Sequence, residues 1–539
     1  MAGKKIIFPI SITIPTAWLS QVLLSLLCII LITSALFIYP LYPFDVGLYD
    51  DAQYMGSASF GYYFYTREYT PSNSPLYIYW YKLLIFFTGS NADAYKLNFI
   101  LLPTISVVLF FNTLRILGAS FFCASGISFL FFLSDHLYVM WPMIGIFNLV
   151  FLLIAFLLYL KDNVFAACLV ILLSCYIRPE NTFLLLLLVM ATLRRYRATM
   201  LWTKMTTLLG IILSIFLLFG FPLSGGRSFY AFAQHFSLNY VSWYKLSFDP
   251  WFDYPVIMKN AFGKCNSLWD VVTTNPSLLF RHLFSNLKSF AFQFLNIVSG
   301  FIFPDTVLKY FIPFKSSFLL KIFCGVSLFL LLFRIKGINR TQLLILFNRN
   351  RMKLIVVCSI VFLQFLICLL YYPRNHYLFP AAFFFWILII IVFKDVTIAR
   401  WQKIRWFYIV LIFIASLCII NFMYASNKEL EKSSKQISLY KAVKIIENSK
   451  DVTIMDFRKS IDAELNGTGI QAFLPLAKRI RVTEQNYTYY LKNLKSKSLI
   501  WCEEGRSNIH SDLAKQSLYD NGFILTKTYN GVFFYEKRM

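Results

Sequence analysis

The sequence predicts an α-helical polytopic membrane protein that ends in a soluble α/β domain. Three observations carry this reading. The chain is 58% hydrophobic and 19% aromatic against 14% charged, a fraction no soluble domain could bury, so most of it must face lipid. Its apolar residues gather into runs of bilayer length separated by short basic loops. After residue 423 the composition changes abruptly to "NKELEKSSKQISLYKAVKIIENSK", the polarity of a water-soluble unit.

The spans follow in order. A crossing helix needs about 20 apolar residues, and the runs that qualify are 18–40, 97–114, 120–136, 140–160, 163–178, 181–194, 203–221, 317–334, 353–371, 378–394 and 405–423. The first is too long for a removed signal peptide, and "YPLYPFDVG" lacks a small-residue cleavage pattern. The net charge of +25 lies in short loops rather than in one stripe, which signals topology and not nucleic acid. "RILG", "LRRYRATMLWTK", "RIKGINR", "NRNRMK" and "KDVTIARWQKIR" share the cytoplasmic side only if "LYIYWYKLLIFF" (76–87) lies in the interface and 289–303 is a surface or re-entrant element. About eleven crossings then remain, with the amino terminus inside and the carboxyl terminus outside. Eight of the ten Cys sit inside apolar runs, and no metal-ligand spacing such as CxxC occurs.

This topology divides the chain into a transmembrane part, 1–423, and an extracytoplasmic α/β domain, 424–539. The membrane part carries a first outer loop, 41–96, and a long aromatic outer loop, 222–288. In the domain, "LYKAVKIIENSK" has helical spacing, while "DVTIMDF", "SLIWCEE" and "GVFFYEKR" read as strands. "FILTKTYNGVFF" is a hairpin with an Asn-Gly turn.

The first outer loop opens on "GLYDDAQYM", where Asp50 and Asp51 leave the lipid side by side. Asp50 can cap a helix, with Gln53 completing a capping box. That uses one acid and leaves the second over. Two carboxylates at a low-dielectric rim are costly unless a cation or a proton meets them. Cations are sent to the same face. "CYIRPENTF" places Arg178 and Glu180 at one outer turn, and "LLYYPRNHYLFPA" places Arg374 and His376 at another. Each Arg can snorkel to headgroups. Yet both sit beside Pro, where a broken helix lets a guanidinium turn into a cavity and bind phosphate in a bidentate manner. "FLSDHLYVM" adds Asp135 and His136, which read equally as a solvated turn pair.

The order of a first helix, an outer "YDDAQYM" and then "SPLYIYWYKLLIFFTG" resembles the polytopic membrane glycosyltransferases of the GT-C fold. More narrowly it is similar to the protein O-mannosyltransferases and the lipid A aminoarabinose transferases. In that superfamily the acidic pair is usually Asp-Glu and a double proline follows. Here the second acid is Asp51, and Ser74 precedes Pro75. The likeness covers roughly 18–395, with motif detail in the first hundred residues.

The resemblance implies transfer of a sugar from a polyprenyl-phosphate-linked donor to an acceptor hydroxyl on the outer face. Asp50 would be the general base of an inverting displacement, because a leaving polyprenyl phosphate needs no general acid. Asp51 would orient it or, with it, hold a divalent cation, since acid pairs also bind metals. Arg178, Arg374 and His376 would bind the donor phosphate. Glu68, Lys82, Asp135 and Glu180 would support the site or the acceptor, a glycan, lipid or protein. The expected location is a bacterial inner membrane with the terminal domain in the periplasm. An O-antigen ligase or polymerase is an alternative, but the acid pair in the first loop argues against it. A transporter or flippase of lipid-linked sugars is another. There, polar residues and repeated halves would stand at mid-membrane, whereas here the ionisable residues gather at one face.

Overall fold

The computed structural model describes residues 50–61, 69–119, 121–132, 143–195, 198–224, 227–251, 253–300 and 340–401. Of the carboxyl-terminal part it describes 441–456, 469–481, 487–502, 516–529 and 532–537, a few single residues aside. The spans expected at 18–40, 317–334 and 405–423, together with Glu68, Asp135 and the Asn530-Gly531 turn, lie outside these residues.

The described chain is mostly helical. It runs through α1 (Asp50–Phe60), α2 (Pro75–Thr88), α3 (Asn91–Ile116), α4 (Phe121–Phe132), α5 (Ile144–Leu160), α6 (Val164–Ser174) and α7 (Asn181–Arg195). Then come α8 (Ala198–Phe219), α9 (Arg227–Tyr244), α10 (Tyr254–Phe262), α11 (Leu268–Thr274), α12 (Pro276–Gly300), α13 (Arg340–Leu370) and α14 (Asn375–Trp401). Asn91–Ile116 and Asn350–Leu370 are long and apolar enough to cross a bilayer by length and composition. Shorter apolar helices at Ile144–Leu160, Val164–Ser174, Asn181–Met190, Thr203–Phe219 and His376–Ile391 accompany them.

Neighbours in sequence pack together, as short connections favour: α3 on α4 and α5, α5 on α6, α6 on α7 and α13 along α14. Helix α14 also crosses back to α5, which brings the start of the second half of the chain onto the first. Helix α2 buries one face and exposes the other. Tyr77, Tyr81 and Leu84 are buried, while Tyr79, Lys82, Leu83, Phe86 and Phe87 are exposed. Gly89 ends it at φ 64, a left-handed conformation that glycine adopts without strain.

The structure differs from the sequence reading in four helices. The run 163–178 holds a helix only to Ser174, followed by a turn. Pro179 lacks the amide that a continuing helix would give to Cys175 O, and the Ser174 carbonyl gathers the amides of Ile177 (3.0 Å) and Arg178 (2.9 Å) together with Asn181 Nδ2 (3.3 Å), which also donates to Ser174 Oγ (3.0 Å). Helix α12 runs unbroken through residue 288, so the end of the aromatic segment 222–288 and the run from 289 to 300 are one element. Its Pro276 opens the helix, and Phe290 packs on Phe365 with ring centroids 4.8 Å apart. "NRNRMK" and the first residues of "KDVTIARWQKIR" are helix rather than loop, within α13 and α14. Arg, Lys and Met are good helix formers, so an apolar helix simply continues beyond its lipid-facing part.

The outer segment 227–300 docks on the rest through a polar clasp. The last carbonyls of α13 have no partner within their own helix. Asn286 Nδ2 donates to Leu369 O (2.8 Å) and Tyr371 O (2.9 Å), and His282 Nε2 donates to Leu370 O (3.0 Å). Asn239 holds this pair, donating to His282 Nδ1 (2.9 Å) and Asn286 Oδ1 (2.8 Å).

The carboxyl-terminal part forms a five-stranded sheet in the order β2-β1-β3-β5-β4. Its strands are β1 (Val452–Asp456), β2 (Lys478–Arg481), β3 (Ser498–Cys502), β4 (Phe523–Tyr529) and β5 (Val532–Lys537). The first three are parallel, and β5 runs antiparallel to β3 and β4. Thus "DVTIMDF", "SLIWCEE" and "GVFFYEKR" contain β1, β3 and β5, and "FILTKT" begins β4, while β2 ("KRIR") gave no strand signal. Parallel pairing requires crossovers; the short helices Gly469–Phe473 and Tyr487–Lys492 lie in them.

This sheet unit is fastened to the first outer loop. Glu447 accepts from Ser90 Oγ (2.7 Å) and from the Ala92 amide (3.1 Å) at the start of α3, where the helix dipole favours a carboxylate. Lys444 bridges Asp93 (2.9 Å) and Glu447 (3.2 Å). Asn91 Nδ2 donates to Ala472 O and to Ser59 Oγ, both at 2.6 Å, so helix 469–473 sits against α1.

Candidate functional site

The acid pair opens α1, with Asp50 as the first residue of the helix. Asp51 is fully buried, and both of its oxygens are engaged. Oδ1 accepts from the Tyr77 hydroxyl (2.8 Å) and Oδ2 from the Met143 amide (2.9 Å). The network continues inward. Asn98 Nδ2 donates to the hydroxyls of Tyr77 (2.8 Å) and Tyr81 (3.0 Å), and Trp80 Nε1 donates to Asn98 Oδ1 (2.7 Å). "PLYIYWY" therefore serves to aim three polar aromatic tips at one buried carboxylate and one amide. The i, i+4 spacing of Tyr77 and Tyr81 puts both on the same face.

Ser74, where the resembled family has proline, is held at φ 59. Proline cannot adopt that angle. Its hydroxyl donates to Ile177 O (2.7 Å) and accepts from Arg227 Nη1 (2.9 Å), while Arg227 Nη2 donates to Tyr54 OH (3.0 Å). The Leu76 amide also donates to Tyr176 O (3.2 Å). The first loop is thus stitched to the turn that carries Arg178. Arg227, in "GGRSFY", was not singled out by sequence reasoning. A lone Arg at a loop end gives no motif signal.

Arg178 and Arg374 occupy similar places. Each lies just before a helix that opens on Asn, in "RPEN" and "PRN", so two helix amino termini with their positive dipole ends face the cluster. Arg178 is buried, 7% exposed, with its guanidinium 4.9 Å from the Tyr377 ring centroid. The Arg374 guanidinium lies 4.5 Å from the Trp251 centroid. Stacking uses the flat face of a guanidinium and leaves its N–H edges available. Among the described residues neither Arg has an ion-pair or hydrogen-bond partner for its side chain. Glu180, two residues from Arg178, makes no ion pair with it. Its charge reaches Tyr371.

His376 is buried in the first turn of α14, within electrostatic reach of Arg178, Arg374 and His235. Its carbonyl lies 2.7 Å from where a Cβ on Gly145 would stand. Only glycine fits there. Helix α5 thereby meets Asp51 at Met143 and His376 at Gly145, tying the acid loop to the arginine turn. His235, on α9, completes the cluster. It packs edge-on to Trp251 (5.7 Å) and parallel to Tyr372 (6.4 Å), with Tyr377 6.2 Å away. Sequence reasoning saw only an aromatic loop there.

The structure therefore brings Asp51, Arg178, Arg374 and His376 into one connected layer and places Glu180 at its edge. Lys82 is on the exposed side of α2, next to Leu83 and near Phe86. A cation held jointly by Asp50 and Asp51 would share Asp51 with the Tyr77 hydroxyl and the Met143 amide.

Two comparisons with known proteins found nothing: no protein-family model matches the sequence, and no curated protein matches it. Among solved structures, the crystal structure of ArnT from Cupriavidus metallidurans bound to undecaprenyl phosphate is similar at a TM-score of 0.39 and 11% identity, over 97% of this chain and 98% of that one. That score is too low to equate the two folds, so the reading of the site rests on its own residues.

Proposed function

We propose that this chain is a membrane glycosyltransferase. It would move a sugar from a polyprenyl-phosphate-linked donor to an acceptor hydroxyl at the outer membrane face, with inversion. The observation that carries this reading is the pair Arg178 and Arg374. Two guanidiniums without a counter-charge among the described residues, one buried and one half-buried, each beside a helix amino terminus, are costly unless an anion joins them. A phosphodiester fits, since its oxygens match the N–H edges that stacking leaves available. As the sugar leaves, charge develops on that phosphate, and donors fixed in advance stabilise it without reorganising.

The acids divide the remaining work. Asp51 accepts at both oxygens, from the Tyr77 hydroxyl and the Met143 amide, and so positions α1. Asp50 is the base that takes the acceptor proton, and its placement on the same helix lets Asp51 and Tyr77 fix where it stands. The carboxyl-terminal sheet, clamped to α3 through Glu447, closes over the acceptor side. In this reading the site lies at the outer face of a bacterial inner membrane, with the sheet domain in the periplasm.

The test uses protein in lipid nanodiscs with a panel of polyprenyl-phosphate sugars. Loss of sugar from one lipid with wild type but not with Asp50→Asn supports the reading. Equal turnover by both forms removes Asp50 from the mechanism.

A further inference from the structure

One buried group in the cluster has no role so far. His235 is 4% exposed, and its Nδ1 lies 2.7 Å from Ala231 O. A carbonyl can only accept, so Nδ1 carries the proton. Nε2 of the neutral ring is then a lone pair, and it has no hydrogen-bond partner among the described residues. Burial first and the Arg374 charge next press the imidazole down to about 3, so it stays neutral over the physiological range.

A buried acceptor without a donor is rare in proteins, and such a group marks a ligand or a water. Its surroundings narrow the choice. Trp251, Tyr371, Tyr372 and Tyr377 surround the ring, and the two rings on which Arg374 and Arg178 stack are among them. Phosphodiester oxygens are acceptors and gain nothing from a lone pair, so the phosphate belongs to the guanidiniums. What Nε2 lacks is an O–H, and aromatic walls beside a hydroxyl acceptor suit the mixed polar and apolar faces of a sugar.

We propose that His235 is a specificity-determining residue: its Nε2 accepts a hydrogen bond from one hydroxyl of the donor sugar while Arg178 and Arg374 hold the adjoining phosphate. This rests on the glycosyl-transfer reading and adds which part of the donor is recognised and by what. Admission of the sugar requires Trp251 to yield. Trp251 lies in the irregular connection between α9 and α10, held by the Asp249 carboxylate (2.9 Å to its amide) and the Arg374 stack. Because Nε2 can only accept, a sugar whose hydroxyl is replaced by fluorine at that position leaves Nε2 unpaired and is rejected.

The experiment measures affinity in nanodiscs for undecaprenyl phosphate and for its glucosyl, galactosyl, mannosyl and arabinosyl forms. At least one sugar form is expected to bind wild type more tightly than the bare lipid. His235→Phe removes that preference by about 5- to 10-fold, the order of one hydrogen bond to a buried acceptor, and leaves bare-lipid affinity unchanged. His235→Gln, which places an amide oxygen near the Nε2 position, restores part of it. With wild type alone, fluorine at one sugar position, and only one, abolishes the preference. A preference unchanged in His235→Phe overturns the proposal, as does a parallel loss for both lipids, which would mark a structural role. Insensitivity to every fluorine substitution overturns it without any variant. No binding of any polyprenyl phosphate by wild type overturns the glycosyl-transfer reading and this inference with it.

Discussion

The Tyr77 hydroxyl donates to Asp51 Oδ1 at 2.8 Å, with both residues fully buried. One residue of the "PLYIYWY" segment thus fixes one residue of the acid pair. Tyr77→Phe keeps the ring in place and leaves a buried carboxylate oxygen short of a donor. It should cost about 1–3 kcal/mol of stability, read as a lowered unfolding midpoint. Asp51→Asn should cost a similar amount, because an amide nitrogen turned toward either partner sets a donor against a donor. A midpoint unchanged in both variants would remove Asp51 from the positioning role.

Arg178 and Arg374 carry like charge beside one another without a counter-ion among the described residues. Removing one should relieve repulsion. Arg374→Gln is therefore expected to leave thermal stability unchanged or raised in the absence of lipid, while weakening polyprenyl-phosphate binding by 10-fold or more, about 1.4 kcal/mol. A variant that binds normally would return Arg374 to headgroup snorkelling.

Acid should destabilise this protein through its outer segment. The His235 imidazole is pressed down to about 3 and that of His282 to about 4, each by burial first. Unfolded, both titrate near 6.5. The unfolded state thus binds more protons between these values, so stability is full above about pH 6.5 and falls as pH drops toward 4. The groups facing His235, namely Arg374, His376, Trp251, Tyr371, Tyr372 and Tyr377, include no carboxylate that would oppose this. Between pH 7 and 5 the loss is on the order of 1–2 kcal/mol per histidine, and His235→Phe should flatten the profile by its share. An identical pH profile for that variant would contradict the assignment.

The clamp between Glu447 and the start of α3 joins residues more than 350 positions apart. Glu447→Ala leaves the Ser90 hydroxyl, the Ala92 amide and Lys444 without their shared partner. It should raise hydrogen exchange at 90–98 and 441–456 together while 144–160 stays protected. Faster exchange at 441–456 alone would mean that the sheet unit is not coupled to the first loop.

Much of this was legible in the sequence for physical reasons that can be named. The apolar, Trp- and Tyr-rich run 76–87 falls within one helix, Pro75–Thr88. The alternation of "DVTIMDF" and "GVFFYEKR" gives strands of the terminal sheet. Arg178 and Arg374 were visible because each breaks the positive-inside pattern beside a proline. What the sequence hid depends on distant partners. Glu447 and His235 are ordinary residues until the fold brings Ser90 to one and Trp251 to the other. The continuity of α12, α13 and α14 was hidden because a charged stretch marks the end of the lipid-facing surface, not the end of a helix. Ser74 read as a departure from a proline pattern, and only its left-handed backbone and its bond to Ile177 explain why serine stands there.

The account turns on whether the two stacked guanidiniums hold a lipid phosphate. The most direct measurement is the ³¹P resonance of undecaprenyl phosphate in nanodiscs, with wild-type protein and with Arg178→Gln/Arg374→Gln. The account predicts a distinct bound resonance with wild type that disappears in the double variant while the protein stays folded. A bound resonance that persists in the double variant, or none with wild type, would contradict it.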